Sequence, residues 1–213
     1  MVTDTFSLIA QQRRAVADLL DELTTEQWSA PTLCDGWRVQ EMAAHLTMPF
    51  RMGNPRFFAR VIANRGSIAR TMDQFARRHA DEPRDVLIAY LRDHATSRFV
   101  PPTFPDEASL AEITVHGFDI AVPCGRHVEV PEEITRRVLD YLVSPKAGSV
   151  HTTRGVARGV RLVSTDSTWS WGEGPTVTGT NFGLLMLLAR RPVAFDHVSG
   201  DGVEVVRAHL ARV

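Results

Sequence analysis

Between Asp4 and Leu142 apolar residues recur at helical spacing, and the stretches that carry them are cut apart by proline and glycine. Several short amphipathic helices can bury their stripes only against one another, so this part of the chain reads as a helical bundle. The spacing predicts a first helix over Asp4–Glu22, with Phe6, Ile9, Val16, Leu19 and Leu20 mainly on one side. Thr24 and Gln27 have the spacing of a capping box, and Pro31 stops the short turn of helix they begin. After a loop over Pro31–Trp37, a second helix is expected over Arg38–Met52. Its inward face carries Val39, Met42, Ala43 and Leu46, with His45 at the edge of that face and turned toward the core. Further helices are predicted over Pro55–Asn64, Ser67–His79, Arg84–Arg98, Asp106–Val122 and Pro131–Leu142.

The rhythm then changes. Val160–Ser164, Thr168–Trp171 and Pro175–Thr178 read as strands joined by turns at Asp166-Ser167 and Gly172-Glu173-Gly174. Asn181–Ala189 reads as a buried helix and Val203–Ala211 as a closing one. The expected fold is mainly α: a helical bundle over residues 1–146, followed by a small α+β domain over 147–213, with the boundary at Pro145–Ser149.

Charge excludes some partners. In 213 residues, 24 basic side chains against 25 acidic ones leave a formal charge of -1, so no global field favours nucleic acid or an anionic membrane. Lys146 is the only lysine, as the coding bias of a GC-rich genome would produce. Near the start no apolar run approaches the ~20 residues of a membrane span, which leads to the expectation of a soluble, cytoplasmic protein. Cys34 and Cys124 are too few for a disulfide framework or a cysteine metal cluster, and Cys34 is expected to be a small buried side chain.

The sharpest chemical feature is Glu112-x-x-x-His116, two residues stacked on one helical face so that a carboxylate and an imidazole can approach one ion, with Asp119 continuing the stripe. Taken alone, the pair equally describes a solvated polar stripe. Eight histidines and 25 acids in this length give about one such pair by chance, and Glu41-x-x-x-His45 is another. His45, inward on a different helix, supplies a third donor. Two imidazoles and one carboxylate leave an open position on Zn²⁺, the pattern of catalytic rather than structural sites.

The segment Pro31-Thr32-Leu33-Cys34-Asp35-Gly36-Trp37, followed by Val39 and Ala44-His45-Leu46, with Glu112-x-x-x-His116-x-x-Asp119-Ile120 later, resembles the mycothiol-dependent maleylpyruvate isomerase-like family of the DinB-like bundle superfamily. The run from Val177 to Arg191 and the Val198–Gly202 segment resemble that family's small carboxy-terminal domain. The resemblance implies a DinB-like four-helix bundle over residues 1–146 and a divalent metal, expected to be zinc, held by His45, Glu112 and His116. It also implies mycothiol, the low-molecular-weight thiol of actinobacteria, bound there as thiolate beside a small electrophile. A thiol with pKa near 8.5 is mostly protonated at neutral pH, and a metal ion keeps it as the nucleophile.

Such an enzyme isomerises a cis double bond by reversible thiolate addition, or acts as a thiol S-transferase. A non-catalytic metal- or thiol-binding protein of the same superfamily is the alternative, and a lipid-carrier role for the apolar Phe182–Leu188 run is a third reading. The resemblance further assigns Arg191 as a clamp for a substrate carboxylate, although Arg190 stands where the family has glycine and Arg38 where it often has a small hydroxyl residue. A helix-terminal arginine also suits solvent and the helix dipole. Neither the substrate nor the oligomeric state is legible at this level.

Overall fold

The computed structural model describes residues 3–100, 104–147 and 155–211. They form two compact units, one running up to Ser109 and taking in His116–Glu129, the other made of Leu110–Val115 and Val130 onward. The fold is mainly helical, with a small sheet near the carboxy terminus. Of the sequence features named above, part of the Pro145–Ser149 boundary lies outside the described residues.

The first unit contains α1 (Thr5–Asp21), α2 (Thr25–Trp28), α3 (Val39–Arg51), α4 (Asn54–Ala63), α5 (Ile68–His79) and α6 (Arg84–Asp93). Helix α3 packs on α5 and α6, and α1 packs on α6. The apolar faces read from the sequence supply the core: Ile9, Leu20, Met42, Leu87 and Leu91 are fully buried. The capping box is present, with Gln27 N–H donating to Thr24 Oγ1 at 3.2 Å and Thr24 N–H to Gln27 Oε1 at 2.9 Å.

Two arginines terminate helices from a distance. Arg84 donates to the carbonyls of Leu20 and Leu23, satisfying the end of α1. Arg13, buried in α1, donates through Nη1 to the carbonyls of His94, Ala95 and Ser97 at 3.3, 3.1 and 2.8 Å. Burial pushes the Arg13 guanidinium down to about 10. This contact gives the physical reason that α6 stops at Asp93 rather than running to Arg98. Carbonyls captured by a guanidinium need no further helical turn.

Helix α7 (Asp106–Ala121) contributes residues to both units. Gly117 lies in its middle, where a Cβ would stand 3.0 Å from Val16 Cγ2. Glycine costs about 1 kcal/mol there relative to alanine, and what it provides is the close approach of α1 to the turn that carries His116.

The second unit holds α8 (Glu132–Val143), β1 (Arg161–Ser164), β2 (Ser170–Gly172), β3 (Thr176–Gly179), α9 (Asn181–Leu188), a 3₁₀ turn (Pro192–Asp196), β4 (Val198–Ser199) and α10 (Val203–Leu210). The sheet order is β2-β1-β3-β4, with β1 parallel to β3 and antiparallel to β2, and β4 antiparallel to β3. Helix α9 is apolar all round because it is covered by α8, the sheet and the 3₁₀ turn. Its run of leucines is thus packing surface. Trp169 is buried, donating its indole N–H to Asp140 at 2.8 Å, whereas Trp171 is exposed. The strand begins at Ser170, not at Thr168 as the sequence pattern suggests, so Trp169 lies outside it.

Arg190 has φ of +63° and follows the C-cap of α9. Its N–H bonds the Leu187 carbonyl at 3.0 Å, and the Arg191 N–H bonds the Met186 carbonyl at 2.8 Å, a Schellman motif with arginine at the left-handed position. Position 190 therefore holds the left-handed conformation that glycine adopts most readily, with an arginine in its place. Glycine at 190 should be about 1 kcal/mol more stable than alanine at the same place, because only the alanine retains the left-handed strain. Urea titration of Arg190→Gly and Arg190→Ala checks this. The expected result is a higher midpoint for the glycine variant at equal slope.

Candidate functional site

The loop Pro31–Trp37 and the helices α3 and α7 carry the residues singled out by sequence. The loop closes on a bridge between Pro31 and Arg38, and Trp37 N–H bonds the Cys34 carbonyl at 3.1 Å across a turn. That turn requires a positive φ, which Gly36 supplies at +79°. Thr32 braces it, its hydroxyl accepting from Cys34 N–H at 3.2 Å and lying 2.9 Å from the Trp37 carbonyl. Cys34 is half-buried rather than fully buried.

Two contacts fix the loop to its surroundings. Leu33 N–H donates to the backbone carbonyl of Asp119 on α7 at 3.1 Å. At the other end Trp37 Nε1 donates to Asp73 Oδ1 at 2.9 Å, and Arg77 ties Asp73 to the loop by bonding both that carboxylate and the Gly36 carbonyl. Arg77 first and Trp37 second hold the Asp73 carboxyl below its ordinary range.

Helix α3 starts without a hydroxyl cap. Glu41, at its third position, accepts from Arg38 N–H at 2.9 Å, and the Arg38 guanidinium donates to both carboxylate oxygens, at 2.6 and 3.1 Å. Burial works to raise the Glu41 pKa, and the Arg38 hydrogen bonds outweigh it and hold it low. Half of a capping box is therefore present, with arginine at the N-cap in place of a hydroxyl residue. One turn further, His45 is 2% exposed and its ring lies 4.8 Å from the Trp37 ring.

His116 faces it from α7. The two imidazole centroids are 5.2 Å apart and the rings nearly perpendicular, at 87°. His116 Nδ1 lies 2.9 Å from Oδ2 of Asp119, whose side chain is wholly buried. That contact favours the tautomer with hydrogen on Nδ1 and leaves Nε2 as a lone-pair donor. Glu112 stands one helical turn before His116.

One ligand-capable atom from each of His45, Glu112 and His116 lies within 4.8 Å of the others. Ligands at about 2.1 Å from a tetrahedral ion are about 3.4 Å apart, so small side-chain rotations would bring this set to coordination distance. Glu112 and His116 are only half-buried, in contrast to His45. The donor set, two neutral imidazoles and one carboxylate, is one that suits Zn²⁺ or a neighbouring transition ion.

Arg191 lies in the turn after α9, where its Nη1 donates to the Ala189 carbonyl at 3.2 Å. The sequence places Asp119 on the same stripe as His116 but does not give it the contact to that ring. The signal for Asp119 was its position three residues after His116, within bonding reach on a helix. No local signal marks Asp73 or Arg77, because both reach the loop from a helix far along the chain.

This arrangement defines a helical domain with a His-Glu-His donor cluster braced by a buried carboxylate. Residues 9–108 match the family model of the mycothiol maleylpyruvate isomerase N-terminal domain. By that match the amino-terminal part of the chain is similar to the mycothiol-dependent maleylpyruvate isomerase-like family. The fold is similar to crystal structures of the mycothiol-dependent maleylpyruvate isomerase and of a mutant of that enzyme, each with a TM-score of 0.62 and 15% identity over 92% of this chain and 91% of the other. No curated protein sequence matches the chain.

Replacing Trp37 with Phe keeps a ring against His45 and removes the bond to Asp73, which should cost about 1 kcal/mol of stability at neutral pH. Asp73 has a folded pKa below its usual 3.8. Its contribution is therefore present above that value and lost as pH falls through the lower folded one. Denaturant titrations of wild type and Trp37→Phe should accordingly differ at pH 7 and converge in strong acid.

Proposed function

We propose that His45, Glu112 and His116 hold one divalent metal ion, zinc by the chemistry of the donors, and that the protein is an enzyme using mycothiol on a small electrophile as an isomerase or S-transferase. The observation that carries this reading is the convergence of the three donors within 4.8 Å, two of them half-buried. The match to the family model supports the thiol, since the isomerase of similar fold is described as mycothiol-dependent.

A bound divalent ion would keep a thiol deprotonated at neutral pH and fix it in place. The remaining work falls to the chain. Asp119, by accepting from His116 Nδ1, holds the ring so that Nε2 is presented. Trp37 packs on His45 and limits its rotation. In this reading Arg191 grips a substrate carboxylate with two parallel hydrogen bonds, a role taken from the family motif. No helix among the described residues is long and apolar enough to cross a membrane, and the expected setting of the reaction is the cytoplasm.

Metal analysis of protein purified without chelator should give about one divalent ion per chain, and none in a His45→Ala, His116→Ala double variant. Retention of the ion in that variant would refute the assignment. Glu112→Gln should weaken affinity, and Asp119→Asn should weaken it by about 10- to 100-fold, measured by chelator competition. Calorimetric titration with mycothiol should show binding to the metal-loaded protein alone. Equal binding with the metal stripped removes the thiolate from this account. Arg191→Ala should raise KM for a carboxylate substrate far more than for an uncharged electrophile, and equal effects on both would dismiss the clamp.

A further inference from the structure

The balanced net charge conceals a strongly one-sided segment. From Met42 to Met72 there are five arginines and no aspartate or glutamate. The chain folds this segment as most of α3, all of α4 and the start of α5, and the first unit has a cavity of about 840 Å³ along these helices. Arg51, Arg56, Arg60 and Arg78 line it, over an apolar side that includes Met52 and the buried Phe75. His45, Glu112 and His116 are not among its lining residues.

Only one of the four guanidiniums has an acid. Arg51 donates to both oxygens of Glu82 at 2.8 and 2.7 Å, and His79 is bonded to the same carboxylate. Arg56, Arg60 and Arg78 have no ion-pair partner among the described residues. Their positions carry a cost. Arg56 and Arg60 are four apart on α4, a like-charge spacing that destabilises a helix. Arg56 also sits in the first turn of α4, which holds no acidic residue, so a cation stands at the positive end of the helix dipole. An anion in the cavity would relieve both effects. Solvent exposure alone explains neither their convergence on one concavity nor their apolar backing.

We propose that this cavity is a binding site for a small organic anion, a molecule with a carboxylate or phosphate group for Arg56, Arg60 and Arg78 and an apolar body for the Met52 and Phe75 side. Its volume is that of small-molecule sites. Exposed Phe58, Ile62 and Ile68 lie on the same two helices, so an anionic bilayer is the competing occupant. A concave site favours the discrete molecule, because a bilayer face cannot enter it. The site is independent of metal binding and of the reaction proposed above.

The test is calorimetric titration of the metal-free full-length protein with 2-naphthoate, beside its uncharged analogue 2-naphthalenemethanol and inorganic phosphate. Naphthoate should bind with a stoichiometry of one and about tenfold more tightly than the uncharged analogue. Phosphate, which lacks the apolar body, should bind more weakly than naphthoate. An Arg56→Gln, Arg60→Gln double variant should lose about tenfold in naphthoate affinity, Arg78→Gln should also weaken it, and Arg14→Gln, an exposed control on α1, should not. Equal affinity for the uncharged analogue, unchanged affinity in the double variant, or no saturable binding up to about 10 mM would overturn the proposal. Flotation with phosphatidylglycerol vesicles completes it. If wild type floats with vesicles, the double variant does not, and naphthoate fails to bind, the surface belongs to a membrane and the proposal falls.

Discussion

Asp119 connects the parts of the site through two different groups. Its backbone carbonyl accepts from Leu33 and so sets the loop that lays Trp37 on His45, while its buried carboxylate holds Nδ1 of His116. Both histidines are thus oriented through one residue. A carboxylate with a fully buried side chain is costly unless hydrogen-bonded, and the His116 contact is part of what permits it there. The loop, the aromatic contact and the imidazole pair are therefore coupled and would not be expected to respond independently to substitution.

The rest of the first unit serves this geometry by close approach and by capture of helix ends. Gly117 admits α1 against the turn that carries His116. Arg13 and Arg84 take the terminal carbonyls of other helices, which leaves those helices short and their ends satisfied without local caps. In each case an arginine does what a glycine or hydroxyl would do nearby in sequence. The same substitution appears at Arg38, where Glu41 retains the other half of the box, and at Arg190, where the backbone turns left-handed despite the side chain.

Much of the donor set was legible early, because a helix places residues four apart on one face whatever surrounds it, and Glu112 and His116 meet that condition. His45 was legible as inward from the apolar residues around it. The end of α6 was not, since nothing in residues 84–98 announces that Arg13 will take their carbonyls. The split between Trp169 and Trp171 was hidden for a similar reason: the strand begins one residue after the first of them, and a bond to Asp140 on α8 draws that ring inward. The acid-free run from Met42 to Met72 was present in the sequence but masked by a net charge taken over the whole chain.

By itself the sequence determined the helical character, the positions of the apolar faces and the small carboxy-terminal sheet, all of which follow from local spacing. Only tertiary structure decided that an imidazole on α3 meets a carboxylate and an imidazole on α7, that Asp73 and Arg77 brace Trp37, and that arginines gather around one cavity. These depend on how separate helices pack against one another. Periodicity fixes which face of a helix is apolar, but not which neighbour covers it or in what register.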